Sequence, residues 1–292
     1  MALNARLTKR IQALRQEYDA LRPRKNALLI LLEEAEIAES VYNSNAIENS
    51  TLTLKETENI LLERELTRNV SLREVYEAKN LAHVTAHIRT KAEAMEVDRE
   101  TILSLHEMLL TGIEEKIAGR FRKAGEYVRV GTHIAPSPEL VERMMRNLLL
   151  GYAGNLQESV LDNIAKFHLE FETIHPFNDG NGRIGRALMN WQLVRNGFPP
   201  VIIRNKEKQR YYNALREYQE TKQTKFMERI LALAVLESLH KRIAYLRGIK
   251  IIRLSDYVRA HKKHAPAVFN AARRQTIPAF REKGVWMIGE KC

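Results

Sequence analysis

The stretch His175–Arg186 reads His-Pro-Phe-Asn-Asp-Gly-Asn-Gly-Arg-Ile-Gly-Arg and decides how the middle of the chain folds. Apolar residues recur at helical spacing before this stretch and again after it. Pro176 cannot donate a backbone hydrogen bond to the preceding turn, so the first helix ends there. The second pattern ends at Gly197, with two prolines just beyond. The stretch therefore predicts a glycine-rich loop between two helices.

The composition of this loop favours an anion. Gly180 and Gly182 permit backbone conformations closed to other residues and let a ligand approach the main chain closely. Successive free N–H groups in such a turn, with the positive end of the following helix, attract phosphate. Arg183 and Arg186 lie three residues apart, hence on one face of that helix, and each can bind phosphate oxygens in bidentate fashion.

The same loop contains a carboxylate and a base. Asp179 would repel a phosphate unless a cation lay between them, so a bridging Mg²⁺ ion is expected. His175 is the group of this stretch able to accept a proton near neutral pH. Together these groups suggest phosphoryl or nucleotidyl transfer. The alternative is a helical corner whose glycines only make a turn and whose arginines are solvated.

The stretch resembles the signature of the Fic family, His-x-Phe-x-(Asp/Glu)-Gly-Asn-Gly-Arg-x-x-Arg, and every fixed position is present. Known Fic proteins are mostly adenylyltransferases that move AMP from ATP onto a hydroxyl of a target protein. The resemblance implies that His175 is the general base and Asp179 the Mg²⁺ ligand. It implies that Asn181 contacts the α-phosphate, that Gly180–Arg183 hold the α- and β-phosphates, and that Arg186 binds the γ-phosphate.

A polar segment near the front of the chain resembles a second Fic pattern. By themselves, residues 44–52 predict the end of a helix followed by a polar turn. Ser44-x-x-x-Glu48-Asn49 is similar to the inhibitory pattern (Ser/Thr)-x-x-x-Glu-(Gly/Asn). The resemblance implies that Glu48 pairs with Arg186 and so keeps ATP in an unproductive pose. The alternative is that Glu48 is a surface carboxylate, as most glutamates are.

The hydrophobic period changes from helical to two over residues 127–134, which predicts a short strand or hairpin. The family resemblance makes this segment a flap that pairs with an extended part of the target protein and presents its hydroxyl to His175. The alternative is a turn that only links helices. Tyr211 is a further nucleotide contact implied by the resemblance. It also implies that the nucleotide is lined by Val128, Arg129, Val130 and Gly131.

Nearly all of the net charge of +11 lies at the C-terminal end of the chain. Residues 241–292 contain 13 lysines and arginines against 3 aspartates and glutamates, which indicates a unit with a polyanionic partner. Residues 250–292 predict helix, turn, helix and a hairpin turning at Lys283-Gly284, an order that resembles the winged helix-turn-helix of excisionase-like proteins. The alternative is a basic unit that docks on the protein itself or on its target. In the DNA interpretation the second helix presents Asn270, Arg273, Arg274 and Gln275.

The composition is that of an ordinary soluble protein, with 45% hydrophobic and 28% charged residues among 292. No apolar run approaches the roughly 18 residues of a membrane span, and the N-terminal helical pattern lacks the apolar region of a secretory signal. The only cysteine is Cys292, so a reducing cytoplasm is expected and no disulfide framework. No membrane partner is expected, and a homodimer is left open.

These observations predict a mainly α fold in three parts. The predicted function is the transfer of AMP from MgATP to a Ser, Thr or Tyr hydroxyl of a target protein, or of the protein itself, under inhibition by Glu48. The alternatives are a DNA-binding regulator whose nucleotide site only senses or self-modifies, transfer of another nucleotide or phospho group, and removal of AMP. The three parts of the predicted fold are an N-terminal helical region (1–97) with the inhibitory segment (44–49), a Fic-type core (98–240) with a hairpin flap, and a winged-helix-like domain (250–292).

Overall fold

The computed structural model describes residues 5–131, 133–155 and 159–290, and helices dominate it. The predicted mainly α fold is confirmed. Thr132 of the predicted flap and Cys292 lie outside the described residues. The helices are α1 (Ala5–Leu21), α2 (Asn26–Ile47), α3 (Leu54–Leu61), α4 (Leu72–Lys91), α5 (Arg99–Leu110), α6 (Pro138–Gly154), α7 (Val160–Ile174), α8 (Asn181–Arg195), α9 (Lys208–Thr221), α10 (Lys225–Arg247), α11 (Leu254–Ala260) and α12 (Ala265–Arg273). The strands are β1 (Arg129–Val130), β2 (His133–Ile134), β3 (Lys250–Arg253), β4 (Ala279–Glu282) and β5 (Val285–Glu290).

The described residues form two compact units. One consists of Ile37–Arg229, and the other of residues 5–36 and 230–290. The boundaries between them fall inside α2 and α10. The division into consecutive parts at residues 1–97, 98–240 and 250–292 stays a prediction.

Helices α7 and α8 form the centre of the first unit. Phe171 on α7 and Trp191 on α8 are fully buried in one apolar cluster, to which α4 and α5 contribute Leu81 and Leu105. Full burial of a side chain of this size contributes about 1.5–3 kcal/mol. This packing fixes the two helix ends that face each other across the loop predicted from the sequence, so the position of that loop is set by the core.

Helix α2 ends within residues 44–52, the segment in which the sequence predicts the end of a helix. Its last helical residue is Ile47. Val41 and Ile47 are completely buried, and burial of these side chains stabilises the last turns of the helix. Ser44 therefore lies in the last turn of α2, and Glu48 directly follows it.

The predicted hairpin over residues 127–134 is confirmed. Strands β1 and β2 pair antiparallel, with Arg129 opposite Ile134. His133 holds the hairpin against the core because its Nε2 lies 3.0 Å from the carbonyl oxygen of Thr173 on α7. Ile134 is 72% exposed, so the hairpin presents an apolar edge to solvent.

In the second unit, the C-terminal residues form a sheet of order β3-β5-β4 with α11 and α12 packed on it. The hairpin between β4 and β5 turns at Lys283 and Gly284, which both have positive φ, as predicted. Strand β3 was not predicted, because four residues beside a glycine give too short a pattern. The prediction that Gln275 is presented on the second helix was wrong. Its side chain is 1% exposed and contacts the carbonyl oxygens of Ala272 and Ala279.

Across the described ranges, the helices all fall short of the combined length and apolarity that crossing a membrane requires.

Candidate active site

The loop after α7 begins with a backbone conformation that few side chains adopt. His175 has φ 50°, in the left-handed region, which costs an imidazole-bearing residue on the order of 1–3 kcal/mol. Buried Arg122 stabilises it, because its guanidinium donates to the carbonyl oxygens of His175 at 2.9 Å and Ile174 at 3.3 Å. The same guanidinium donates to the Pro136 carbonyl at 2.9 Å, next to the hairpin. Arg122 therefore fixes His175 relative to β2.

A buried histidine fixes the middle of the loop. His106 Nδ1 accepts a hydrogen bond from the Gly119 N–H at 3.1 Å, so in the neutral ring the proton resides on Nε2. That Nε2 donates to the carbonyl oxygen of Asp179 at 3.0 Å. The ring also stacks on Phe177, with centroids 3.7 Å apart, and burial lowers the pKa of His106 to about 4. His106 thus stays neutral and acts as a structural support.

The start of α8 provides the anion cradle that the sequence predicts. Gly180 is the N-cap with φ 81°, and a Cβ there would lie 2.9 Å from the Leu109 side chain. The first N–H groups of a helix lack an intrahelical acceptor, so they are available to a ligand. They face a cavity of about 440 Å³, within the usual range for small-molecule sites.

Most of the predicted site residues line this cavity. Among the described residues, the predicted ones that do not line it are Ser44, Asn49, Gly131, Arg186 and Tyr211. Asn45, Arg73 and Glu77, which the sequence analysis had not singled out, are part of the lining. The predicted residues that do line it are Glu48, Val128, Arg129, Val130, His175, Asp179, Gly180, Asn181, Gly182 and Arg183.

Asn181 uses its side chain to shape the loop. Its Oδ1 accepts from the Phe177 N–H at 2.9 Å, and its Nδ2 donates to the Phe177 carbonyl at 2.8 Å. The amide is 2% exposed, so the group that Asn181 offers to the cavity is its backbone N–H. A contact between Asn181 and an α-phosphate stays a prediction.

Four charged side chains alternate in sign beside the cradle. Asp179 accepts from Arg183 at 3.0 Å and from Arg73 at 2.5 Å. Glu77 accepts from Arg73 and lies 3.1 Å from Arg183. Burial opposes ionisation of Asp179, but Arg183, the Gly180 N–H and Arg73 together hold its pKa below the usual value. Asp179 is therefore a carboxylate at neutral pH.

This carboxylate suits a cation that arrives with a polyphosphate. In the described ranges, no group of three or more His, Cys, Asp and Glu side chains could hold a metal ion. Mg²⁺ usually keeps several waters and binds through one or two carboxylates together with substrate phosphates. Asp179 is one of three carboxylates that line the cavity, and it lies directly beside the N–H groups at the start of α8, which fits that donor set.

The inhibitory segment predicted at residues 44–49 lies against Arg186. Glu48 Oε1 is 2.8 Å from Arg186 Nη2, while Ser44 accepts from the same guanidinium through Oγ at 3.0 Å and through its carbonyl at 2.9 Å. A Cβ at Gly182 would overlap the Glu48 carboxylate, so this glycine leaves room for it. Burial disfavours the charge on Arg186, but Glu48, Tyr211 and Glu172 together outweigh that effect and raise its pKa.

Helix α9 holds this segment from the other side. The Tyr212 hydroxyl donates to the carbonyl oxygen of Ile47 at 2.6 Å, directly before Glu48. Asn49 has φ 69°, a conformation that asparagine tolerates better than most residues, and it turns the chain away from α2. The position of Glu48 is therefore set by its neighbours in the chain and by α9.

A cluster of buried polar groups lies behind the cradle. Tyr211 is 2% exposed, and its hydroxyl lies 2.8 Å from His168 Nε2 and 3.5 Å from Arg186 Nη1. Glu172, one turn after His168 on α7, faces the same cluster and is 7% exposed. A nucleotide contact at Tyr211 stays a prediction, since its hydroxyl is directed into this cluster.

The arrangement defines a class of protein: a helical protein in which a base, a carboxylate and the amino end of a helix surround a cavity of small-molecule size. Residues 96–193 match the family model of the Fic/DOC family. The chain therefore contains a Fic domain.

The similarity extends beyond the signature. Over 184 residues the chain is 35% identical to Protein adenylyltransferase Fic of Nematostella vectensis. The aligned region covers 61% of this chain and 42% of the relative. The chain thus spans about two fifths of the length of the curated relatives it matches.

Two solved structures have a similar fold. A Fic domain containing signaling protein from Bacteroides thetaiotaomicron aligns with TM-score 0.74 and 26% identity, covering 82% of this chain and 97% of that one. Fic-1 of C. elegans aligns with TM-score 0.71 and 26% identity, covering 82% of this chain and 70% of that one.

Proposed function

We propose that this chain is a protein adenylyltransferase that transfers AMP from MgATP to a Ser, Thr or Tyr hydroxyl of a target protein, and that Glu48 inhibits it. The proposal rests on one observation: His175 and the first N–H groups of α8 line the same cavity. Attack of a hydroxyl on a phosphate requires a proton acceptor beside groups that stabilise the phosphate charge. The similarity to proteins named adenylyltransferases supports AMP as the transferred group.

In this mechanism His175 accepts the proton of the target hydroxyl. The Nδ1 atom faces the Glu172 carbonyl at 3.4 Å, so Nε2 is the nitrogen that remains for the substrate. The target oxygen forms a bond to the α-phosphorus. The bond between the α-phosphorus and the oxygen that bridges to the β-phosphate breaks, and pyrophosphate leaves. The N–H groups of Gly182 and Arg183 stabilise charge on the phosphate oxygens. Asp179 would hold the Mg²⁺ that accompanies ATP, and the ion would neutralise phosphate charge.

The target would dock on the hairpin of β1 and β2. Both strands are short, β1 is exposed and β2 is partly exposed, and an extended peptide can pair with such an edge through main-chain hydrogen bonds. Tyr127 and Ile134, exposed by 65% and 72%, would add apolar contact. Main-chain pairing carries little side-chain specificity, so the identity of the target is set by other surfaces. A cytoplasmic location and a homodimer stay predictions from the sequence.

The decisive experiment measures the incorporation of label from ATP into protein. The Glu48→Gly protein is incubated with a lysate and either α- or γ-³²P-ATP, and labelled proteins are identified by mass spectrometry. AMP transfer retains label from the α position only, whereas phosphoryl transfer retains label from the γ position. Parallel reactions with the other nucleoside triphosphates distinguish a different donor. Absence of α-label on every protein, with ATP binding intact, would contradict the proposal and favour a site that only senses nucleotide.

A second candidate function is DNA binding by residues 250–292. It is supported by the order of α11, α12 and the β4–β5 hairpin, and by the exposure of Asn270, Arg273 and Arg274 on or next to α12. In that interpretation α12 would enter the major groove and the hairpin would contact the backbone.

We expect duplex binding to weaken steeply with salt. The double variant Arg273→Ala/Arg274→Ala should reduce the magnitude of the slope of log K against log salt by about 2, because each lost phosphate contact reduces it by about 0.9. Fluorescence anisotropy with a labelled duplex between about 50 and 200 mM salt measures the slope. Lys116→Ala, an exposed charge change in the first unit, serves as the control. Equal slopes in all variants, or no binding at the lowest salt, would exclude this function.

A further inference from the structure

Glu172 places a carboxyl group in the core behind the cavity. It lies on α7 three residues before His175, and its side chain is 7% exposed. Its Oε2 is 3.9 Å from His175 Nδ1, and its Oε1 is 4.0 Å from His168 Nε2. A Cβ at Gly185 would lie only 2.6 Å from Oε1, so a glycine on α8 leaves space for this group. Burying a carboxyl group costs free energy, which calls for a role beyond packing.

The environment of His175 shows what such a role would be. The ring turns Nδ1 toward the Glu172 carbonyl and carboxyl, which leaves Nε2 as the proton acceptor. Burial, with the charges of Arg122 and His133, lowers the pKa of His175 to about 4, although the Glu172 carbonyl and the Glu48 carboxylate act in the opposite direction. A ring with these neighbours is a poor proton acceptor unless a negative charge stabilises its cationic form.

We infer that Glu172 is a positioning residue for the proposed AMP transfer: its carboxylate faces Nδ1 of His175, orients the ring and stabilises the cation that forms when Nε2 accepts the target proton. The inference rests on the proposed function. The proton passes from the target hydroxyl to Nε2, the oxygen–phosphorus bond forms, and pyrophosphate leaves. Glu172 itself neither gains nor loses a proton in this step.

Glu172 connects the charge of Glu48 to the proton acceptor His175. Burial and the Glu48 carboxylate together raise the pKa of Glu172 to about 8, although Arg186 and Tyr211 act in the opposite direction. The titratable groups that face Glu172 belong to four elements. They are His168 and His175 on α7, Glu48 after α2, Arg186 on α8 and Tyr211 on α9. With Glu48 in place, Glu172 is mostly protonated at neutral pH, and removal of Glu48 favours the carboxylate.

The test uses the Glu48→Gly protein as parent. We expect kcat of the parent to rise with pH from about 6 to 9 as Glu172 ionises, because the carboxylate is the form that assists His175. Glu172→Gln is expected to lower kcat by about 10- to 100-fold and to remove this rise, with the KM for ATP unchanged. Glu170→Gln, a carboxyl change two residues away that contacts Tyr218, is the matched control and should behave as the parent.

A second measurement does not depend on activity. The ring resonances of labelled His175, followed by NMR between about pH 6 and 9, should shift as Glu172 ionises in the parent and in Glu170→Gln, and this shift should be absent in Glu172→Gln. If no variant labels protein, the proposed function fails while this comparison still decides the inference. A His175 resonance that shifts equally in all three proteins, or a Glu172→Gln protein with the parent's kcat and pH profile, overturns it. If Glu172→Gln unfolds, Glu172→Asp replaces it and must keep the rise with pH at reduced kcat; loss of that rise overturns the inference as well.

Discussion

Replacing His175 by alanine is expected to lower AMP transfer by roughly 10²- to 10⁴-fold, the usual contribution of a positioned general base. The imidazole is the proton acceptor that the structure places in the cavity, with Nε2 left free by the contacts at Nδ1. ATP binding should persist, because the cradle at the start of α8 and the support by Arg122 act through the main chain. Incorporation of α-label measures the first effect, and calorimetric titration with ATP measures the second.

The control for this substitution is His83→Ala, which removes an exposed imidazole from α4. It should match the parent in label incorporation and in ATP affinity. Both proteins are compared in the Glu48→Gly background, where the parental signal is expected to be highest. A His175→Ala protein that transfers AMP at the parental rate would show that another group, or water alone, takes the proton.

The helix–loop–helix at the site could be predicted from the sequence because its signals are local. Pro176, Gly180 and Gly197 lie at the boundaries themselves, and each acts on its own backbone or on the adjacent turn. The hairpin turning at Lys283-Gly284 was predictable for the same reason. In contrast, the residue within 44–52 at which α2 ends depends on burial of Val41 and Ile47, which the local sequence of polar residues does not reveal.

The supports of the site were missed because their partners are remote in the chain. Arg122 contacts carbonyl groups 52 and 53 residues away, and His106 contacts one 73 residues away. No spacing rule connects such residues, and both contacts end on the main chain, so the partner's side chain carries no signal. Glu172 could have been noticed as a carboxyl group on the apolar side of α7, since Phe171 and Ile174 flank it in the same buried helix.

Replacing Glu48 by glycine is expected to raise AMP transfer by roughly 10- to 100-fold. The carboxylate occupies the Arg186 guanidinium at 2.8 Å, which the γ-phosphate would need, and a charge-assisted contact of this kind is worth about 1.5–3 kcal/mol. Removal of the Glu48 carboxylate leaves the Arg186 guanidinium 5% exposed and bound to the neutral Ser44. A buried cation that has lost this partner binds an incoming phosphate more strongly. Initial rates of α-label incorporation at saturating ATP measure the gain.

Two further variants separate this explanation from general loosening of the segment. Glu48→Gln keeps the size of the side chain but removes its charge, so it should give a smaller gain than glycine and a higher rate than the parent. Arg186→Ala, added to Glu48→Gly, should cancel the gain, because the freed guanidinium is the group that acts. Tyr212→Phe loosens the segment through the Ile47 carbonyl while leaving the ion pair, so only a small gain is expected. A Glu48→Gly protein no faster than its parent, or a gain that survives loss of Arg186, would show that the ion pair stabilises the structure without restraining the enzyme.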